Sequence, residues 1–185
     1  MTDSIGPALI RSERPGDEDA IRIVHENAFP GPGEARLVAA LRRSGLLMVS
    51  LIAEEAGAIV GHVAFSPVSV AGTRTGFALG PLAVIPPRQR GGIGSALVRR
   101  GLDDCRQAAV PFIVVLGEPA YYSQFGFGPA SARGLIDEHR GGVAFQALEL
   151  RMGGIPPEAG LVRYADEFTL VAGSAPPSRD RLRVP

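Results

Sequence analysis

One stretch, Phe77 to Leu116, limits the fold more than any other part of the chain. Phe77 to Val84 reads as a strand, and Pro86-Pro87 fit its departure from the sheet because neither nitrogen can donate to a ladder. A glycine-rich turn follows, Gln89-Arg90-Gly91-Gly92-Ile93-Gly94-Ser95. From Gly92 to about Ala108 the residues Leu97, Val98, Gly101, Leu102 and Cys105 recur along one helical face. The continuous apolar run Phe112 to Leu116 then reads as a buried strand. Strand, helix and strand in this order make a parallel crossover, the only clear one in the sequence. The fold class is therefore α/β, or mixed α+β.

The rest of the chain reads as an antiparallel meander. A strand spans Ala8 to Ser12, and Pro15-Gly16-Asp17 opens a helix running to about Ala28, with Ile21, Val24 and Ala28 on one face. Phe29-Pro30-Gly31-Pro32-Gly33 stops it. A second helix, Glu34 to Arg43, turns Leu37, Ala40 and Leu41 inward and ends at Gly45. Strands Leu47 to Glu54 and Ile59 to Val70 flank the turn Ala56-Gly57, and Ala71-Gly72 turns the chain into the crossover. Beyond it lie a short helix, Ala120 to Phe125, and strands near Phe145 to Leu150 and Leu161 to Val171. Residues 1–172 read as one domain, and Gly173 to Pro185, rich in Pro, Ser and Arg, as a flexible tail.

Composition excludes several chemistries. All 19 basic residues are arginine, so a Walker phosphate loop, a Schiff-base enzyme and a Ser-x-x-Lys acylase lack their lysine. One cysteine permits no internal disulfide, and His25, His62 and His139 are too scattered for a local metal motif, so no metal is assigned. The basic residues balance 19 acidic ones without a long run of either sign, which removes the footprint of a nucleic-acid or membrane-surface binder. No signal-like segment or run of about 18 apolar residues occurs, so the expected location is the cytoplasm.

The turn itself points to phosphate. Backbone amides at a helix start are unpaired and lie at the positive end of the helix dipole, and Arg88 and Arg90 add charge beside them. A dinucleotide fingerprint is ruled out, since its third glycine would fall where Leu97 stands. Leu82-Ala83-Val84, four residues, then Gln89-x-x-Gly92-x-Gly94 resembles the acetyl-coenzyme A signature of the GNAT superfamily of N-acetyltransferases, Gln/Arg-x-x-Gly-x-Gly/Ala. The chain is most similar to the bacterial branch labelled YhbS-like. The resemblance implies a central mixed, mostly antiparallel sheet with helices on both faces. It also implies that the turn from Gln89 to Ser95 binds the pyrophosphate of acetyl-coenzyme A, while the pantetheine arm pairs with Leu82, Ala83 and Val84.

A second segment carries the likeness further. Tyr122-Ser123-Gln124-Phe125-Gly126-Phe127 is similar to the family's Tyr-x-x-x-Gly-Phe, whose tyrosine donates a proton to the departing thiolate. Tyr121 is one residue out of register and is expected to point elsewhere. The alternative for Tyr122 is packing beside Phe125 and Phe127.

The resemblance implies direct attack by a primary amine of a small molecule or peptide on the thioester. Glu34 opens the helix in the region where the family shapes its acceptor site, and is the first candidate for base or ammonium binder; helix-start preference explains it equally well. Glu118, Glu54 and Glu55 follow. His62, mid-strand among apolar residues, reads as a satisfied core histidine, and Cys105 as core. Two other readings stay open, a non-catalytic acyl-coenzyme A sensor and an enzyme using a longer acyl donor, as does a homodimer.

Overall fold

The computed structural model of the chain describes residues 8–156 and 160–172. Strand β1 (Leu9–Ser12) is followed by helices α1 (Glu18–Ala28) and α2 (Gly33–Arg43). The meander β2 (Val49–Glu55), β3 (Ala58–Val70) and β4 (Thr73–Val84) leads through the turn to α3 (Ile93–Gln107) and β5 (Phe112–Leu116). Then come α4 (Pro119–Tyr122), β6 (Gly128–Pro129), β7 (Ile136–Asp137), β8 (Phe145–Glu149), β9 (Leu161–Arg163) and α5 (Thr169–Ala172). Among the described residues the strands join one sheet in the order β1-β2-β3-β4-β5-β8-β6, with β9 pairing both β3 and β7.

Side-chain alternation sorts this sheet into two faces. Leu51, Ala53, Val63 and Phe65 point to the side where Leu97, Val98, Leu102 and Cys105 of α3 pack. Ile52 and Ala64 point to the other side, beneath Ile21 of α1 and Val38 of α2. The hairpin turns Ala56-Gly57 (φ 48° and 80°) and Ala71-Gly72 (φ 51° and 80°) both use two left-handed residues, the conformation that matches strand twist.

Close seating of α3 depends on Gly101. A Cβ there would stand 2.3 Å from the ring of Phe65, which is fully buried and has nowhere to go. Replacing glycine by alanine inside a helix gains about 1 kcal/mol of propensity, whereas overfilling a packed core costs about 1–3 kcal/mol or more. Gly101→Ala should therefore lose stability, and urea unfolding at unchanged m-value checks it. A gain would mean that α3 rides higher on the sheet than this packing requires.

The crossover is parallel as expected, β4 to β5, and the other long pairings are antiparallel. Several local expectations need correction. The strand expected over Leu161 to Val171 stops at Arg163; a 3-10 turn, Asp166–Phe168, and α5 replace its second half. Asp166 and Glu167 suit a helical start, and Phe168 returns to pack against Tyr164, a spacing that a strand would not produce. The helix expected over Ala120 to Phe125 is one α turn followed by a 3-10 turn, Ser123–Phe125. β4 begins at Thr73, earlier than Phe77. Strands β6 and β7 are two residues each, too short for periodicity to reveal, and β7 adds a second parallel pairing, with β9. The segment Gly173 to Pro185, expected to be a flexible tail, lies outside the described residues.

Candidate active site

The site begins where two parallel strands separate. β4 pairs with β5 only from Phe77–Ile113 to Leu79–Val115, yet it stays paired with β3 as far as Gly61–Val84. At the point of departure Gly80 and Pro81 stand opposite the single residue Ala64, a bulge that bends β4 away. From Gly80 to Val84 the β5-facing edge of β4 has no ladder partner among the described residues.

The turn lies at the end of that edge. Pro86–Arg88 form a 3-10 turn, and the side-chain amide of Gln89 donates to the carbonyl of Val84 at 2.9 Å, tying the loop back to the strand. Arg90 (φ 62°) and Gly92 (φ 86°) are both left-handed. The backbone amides of Arg90, Gly91, Gly92, Ile93, Gly94 and Ser95 donate to no described group; the first bond into the turn is Ala96 to the Gly92 carbonyl at 2.9 Å. Space above Gly92 is open, with nothing within 4 Å of a Cβ built there. Ile93 and Leu97 stand 3.1 Å from a Cβ built on Gly61, so glycine in β3 lets this helix start lie flat on the sheet. Unpaired amides, open space and a fifteen-residue helix behind them make an anion cradle.

Arg88 does not supply the free charge expected of it. Its guanidinium pairs with Glu55 at 2.6 Å and ties the β2–β3 hairpin to the loop. Arg90 remains exposed. The pairing also withdraws Glu55 from the candidates for a base, and Glu54 is likewise held by Arg11 at 2.8 Å.

Tyr122 sits at the other side of the separation, after β5. It is 7% exposed, its ring meets Phe127 edge-on at 5.6 Å, and a Cβ on Gly117 would stand 2.2 Å from that ring. Only glycine at the end of β5 leaves room for it. The hydroxyl makes no hydrogen bond among the described residues, and burial, with Tyr121 adding a smaller push, holds the phenol well above its ordinary pKa. Tyr122 is therefore protonated at any physiological pH, a donor awaiting an acceptor. Tyr121 does point elsewhere: its hydroxyl lies 3.5 Å from Ser95 Oγ in the first turn of α3.

Glu34 lies in the first turn of α2, half-buried, and makes no hydrogen bond or ion pair among the described residues. Helix α2 packs on α1 and α5, and no described contact joins Glu34 to Tyr122. Glu118 precedes α4, where its carbonyl accepts the amides of Tyr121 and Tyr122. Cys105 is fully buried and its thiol is pushed up to about 12 by burial, so it is core.

One constellation escaped the sequence reading. His25 of α1 and His62 of β3, distant in sequence, meet at 2.8 Å between Nε2 and Nδ1. The other ring nitrogen of His62 lies 2.8 Å from Ser50 Oγ, and Ser50 in turn donates to Glu13, which also accepts from Arg42 Nε at 2.7 Å. Both imidazoles are fully buried. Burial first and Arg42 second lower His25 to about 3, and burial, His25 and Arg42 lower His62 well below its ordinary value, so both rings are neutral. His62 is satisfied as expected, but His25 Nδ1 is buried without a partner, which costs about 1–3 kcal/mol. In β3 His62 lies two residues from Ala64 on the face beneath α1; nothing local in the sequence pointed to His25. Among the described residues no group of three or more metal-binding side chains gathers.

Comparison with known proteins agrees with this geometry. The model of the acetyltransferase (GNAT) family matches residues 19–127. The chain is 37% identical to the uncharacterized N-acetyltransferase YhbS of Escherichia coli K12, over 86% of this chain and 98% of that protein. The crystal structure of Escherichia coli YhbS in complex with coenzyme A superposes with a TM-score of 0.86 at 37% identity, covering 91% of this chain and 96% of that one. A GNAT acetyltransferase from Brucella melitensis in complex with acetyl-coenzyme A gives 0.74 at 38% identity, covering 87% and 97%.

Proposed function

This chain belongs to the GNAT acetyltransferase family, and from that premise we propose that it transfers an acetyl group from acetyl-coenzyme A to a primary amine of a small molecule or peptide by direct attack. The observation that carries the reading is the continuity of two backbone surfaces: the β4 edge from Gly80 to Val84, which has no strand partner among the described residues, and the unpaired amides of Arg90 to Ser95. The first suits the amides and carbonyls of a pantetheine arm, the second a pyrophosphate. The complexes of the two relatives with coenzyme A and acetyl-coenzyme A support the same assignment.

In this reading the thioester lies where β4 and β5 part, and Tyr122 donates a hydrogen bond to the departing thiolate. An acceptor ammonium of pKa near 10.4 is free amine to about one part in a few thousand at pH 7, a cost of roughly 4–5 kcal/mol. Glu34, unpaired at the start of α2, binds that ammonium or helps to remove its proton.

A screen of primary amines with acetyl-coenzyme A, read as thiol release, tests the reaction. At least one amine should be acetylated, Glu34→Gln should raise its KM or lower turnover at neutral pH, and hydroxyl analogues should be poor acceptors. Release with hydroxyl compounds but no amine would overturn the reading, and an unchanged pH profile in Glu34→Gln would leave Glu34 as a helix-start residue only.

A further inference from the structure

The anion cradle does not end at Ser95. Ser95 and Arg99 stand four residues apart on α3, hence on one helical face and about 6 Å from each other along the axis. Tyr121 and Phe125, at the same spacing in α4 and the 3-10 turn after it, meet that face in matching order. Ser95 Oγ lies 3.5 Å from the Tyr121 hydroxyl, and the Arg99 guanidinium carbon lies over the Phe125 ring, 5.3 Å from its centre. The Tyr121 and Phe125 rings are in edge contact at 5.3 Å. These four side chains form a wall that starts at the last free amide of the cradle and continues along α3.

Arg99 is exposed and makes no hydrogen bond or ion pair among the described residues. Its helix neighbours differ: Arg100 is held by Asp104 at 2.9 Å, and Asp103, one turn beyond Arg99, is taken by Arg106 at 2.8 Å. A guanidinium laid over an aromatic ring is restrained, yet its N–H donors lie in its own plane and stay available to an oxyanion. The two hydroxyls beside it are also uncommitted, because 3.5 Å is at the limit of hydrogen-bonding distance. Burial raises the Tyr121 phenol, against smaller opposing effects of Ser95 and of the Arg99 charge, so the phenol stays protonated and can donate.

We propose that Arg99, seated on Phe125, binds the 3′-phosphate of coenzyme A, with the hydroxyls of Ser95 and Tyr121 between it and the pyrophosphate, an assignment that rests on the coenzyme A reading of the turn. The 3′-phosphate hangs from the same ribose as the pyrophosphate, so a cofactor anchored at Arg90 to Ser95 carries this second anion close to the wall. As a monoester it bears about −1.5 to −2 charges at pH 7, which makes it the most highly charged group of the cofactor and a match for the planar fork of an arginine. Tyr121, one position out of register with Tyr122, thereby serves the nucleotide end of the cofactor while Tyr122 serves the thiol end.

The test compares coenzyme A with 3′-dephospho-coenzyme A by calorimetric titration into the unaltered protein, Arg99→Gln and Arg90→Gln. The unaltered protein should bind coenzyme A at least about 10-fold more tightly than the dephospho form, as expected of hydrogen bonds to a charged group. Arg99→Gln should remove that preference by weakening coenzyme A alone, whereas Arg90→Gln, which alters the turn itself, should keep it. Equal affinity of the unaltered protein for the two nucleotides would overturn the assignment, as would an equal loss for both in Arg99→Gln or loss of the preference in Arg90→Gln instead. If the unaltered protein binds neither nucleotide, the coenzyme A reading fails first and takes the 3′-phosphate site with it. Phosphorus-31 NMR of coenzyme A bound to the unaltered protein depends on no variant: its 3′-phosphate should titrate at lower pH than in free coenzyme A, since a neighbouring cation favours the dianion. Titration at the pH of the free nucleotide contradicts the proposal.

Discussion

Replacing Tyr122 with phenylalanine is expected to lower single-turnover thiol release by about 10² to 10⁴, the range for loss of a general acid. The ring, which fills the space over Gly117 and packs on Phe127, is unchanged by the substitution, and the hydroxyl makes no hydrogen bond within the described residues. Stability and acetyl-coenzyme A affinity should therefore hold. In water a phenol and a thiol differ by about 1.5 pKa units, so complete transfer is uphill by about 2 kcal/mol. Burial raises the phenol further. In the proposed mechanism the hydroxyl would therefore act chiefly by a hydrogen bond to the developing thiolate. The measurement must isolate chemistry, with acetyl-coenzyme A prebound and acceptor saturating, because steady-state turnover can be limited by product release. Release at the unaltered rate would assign Tyr122 to packing.

The crossover and its turn were legible in the sequence because three local signals coincide there: prolines that end β4, glycines that open α3, and a helical period carrying Leu97 to Cys105. The two faces of the sheet were not legible in the same way, since β2 and β3 are covered on both sides and Leu51 to Ala53 and Val60 to Ser66 are buried without a break. What the sequence did not disclose depends on distance along the chain. Arg88 reads as a free cation until β2 brings Glu55 to it, and His25 reads as one position on a helix until α1 lies across His62. The end of β9 was misread because Phe168, Leu170 and Val171 are apolar in either register, and only the acidic pair Asp166-Glu167 marks the change to a helical turn. Glu34 is legible as a helix start, and its side chain has no described partner that adds to that reading.

The central claim is that the amides of the turn from Arg90 to Ser95 hold the pyrophosphate of acetyl-coenzyme A, and Gly92 is where it can be tested with least damage to the fold. Its φ of 86° is one that aspartate and asparagine tolerate better than other side chains, and a Cβ there meets nothing within 4 Å. Gly92→Asp should cost the protein only about 1–2 kcal/mol of stability, yet it places a carboxylate where the phosphates are to lie; Gly92→Asn adds similar bulk without the charge. Calorimetric titration of acetyl-coenzyme A into the three proteins decides the matter. At least about 100-fold weaker binding to Gly92→Asp, close to 3 kcal/mol, with a smaller loss in Gly92→Asn and circular dichroism unchanged, is the expected result. Affinity equal to that of the unaltered protein in a folded Gly92→Asp variant would contradict it and place the cofactor elsewhere on the molecule.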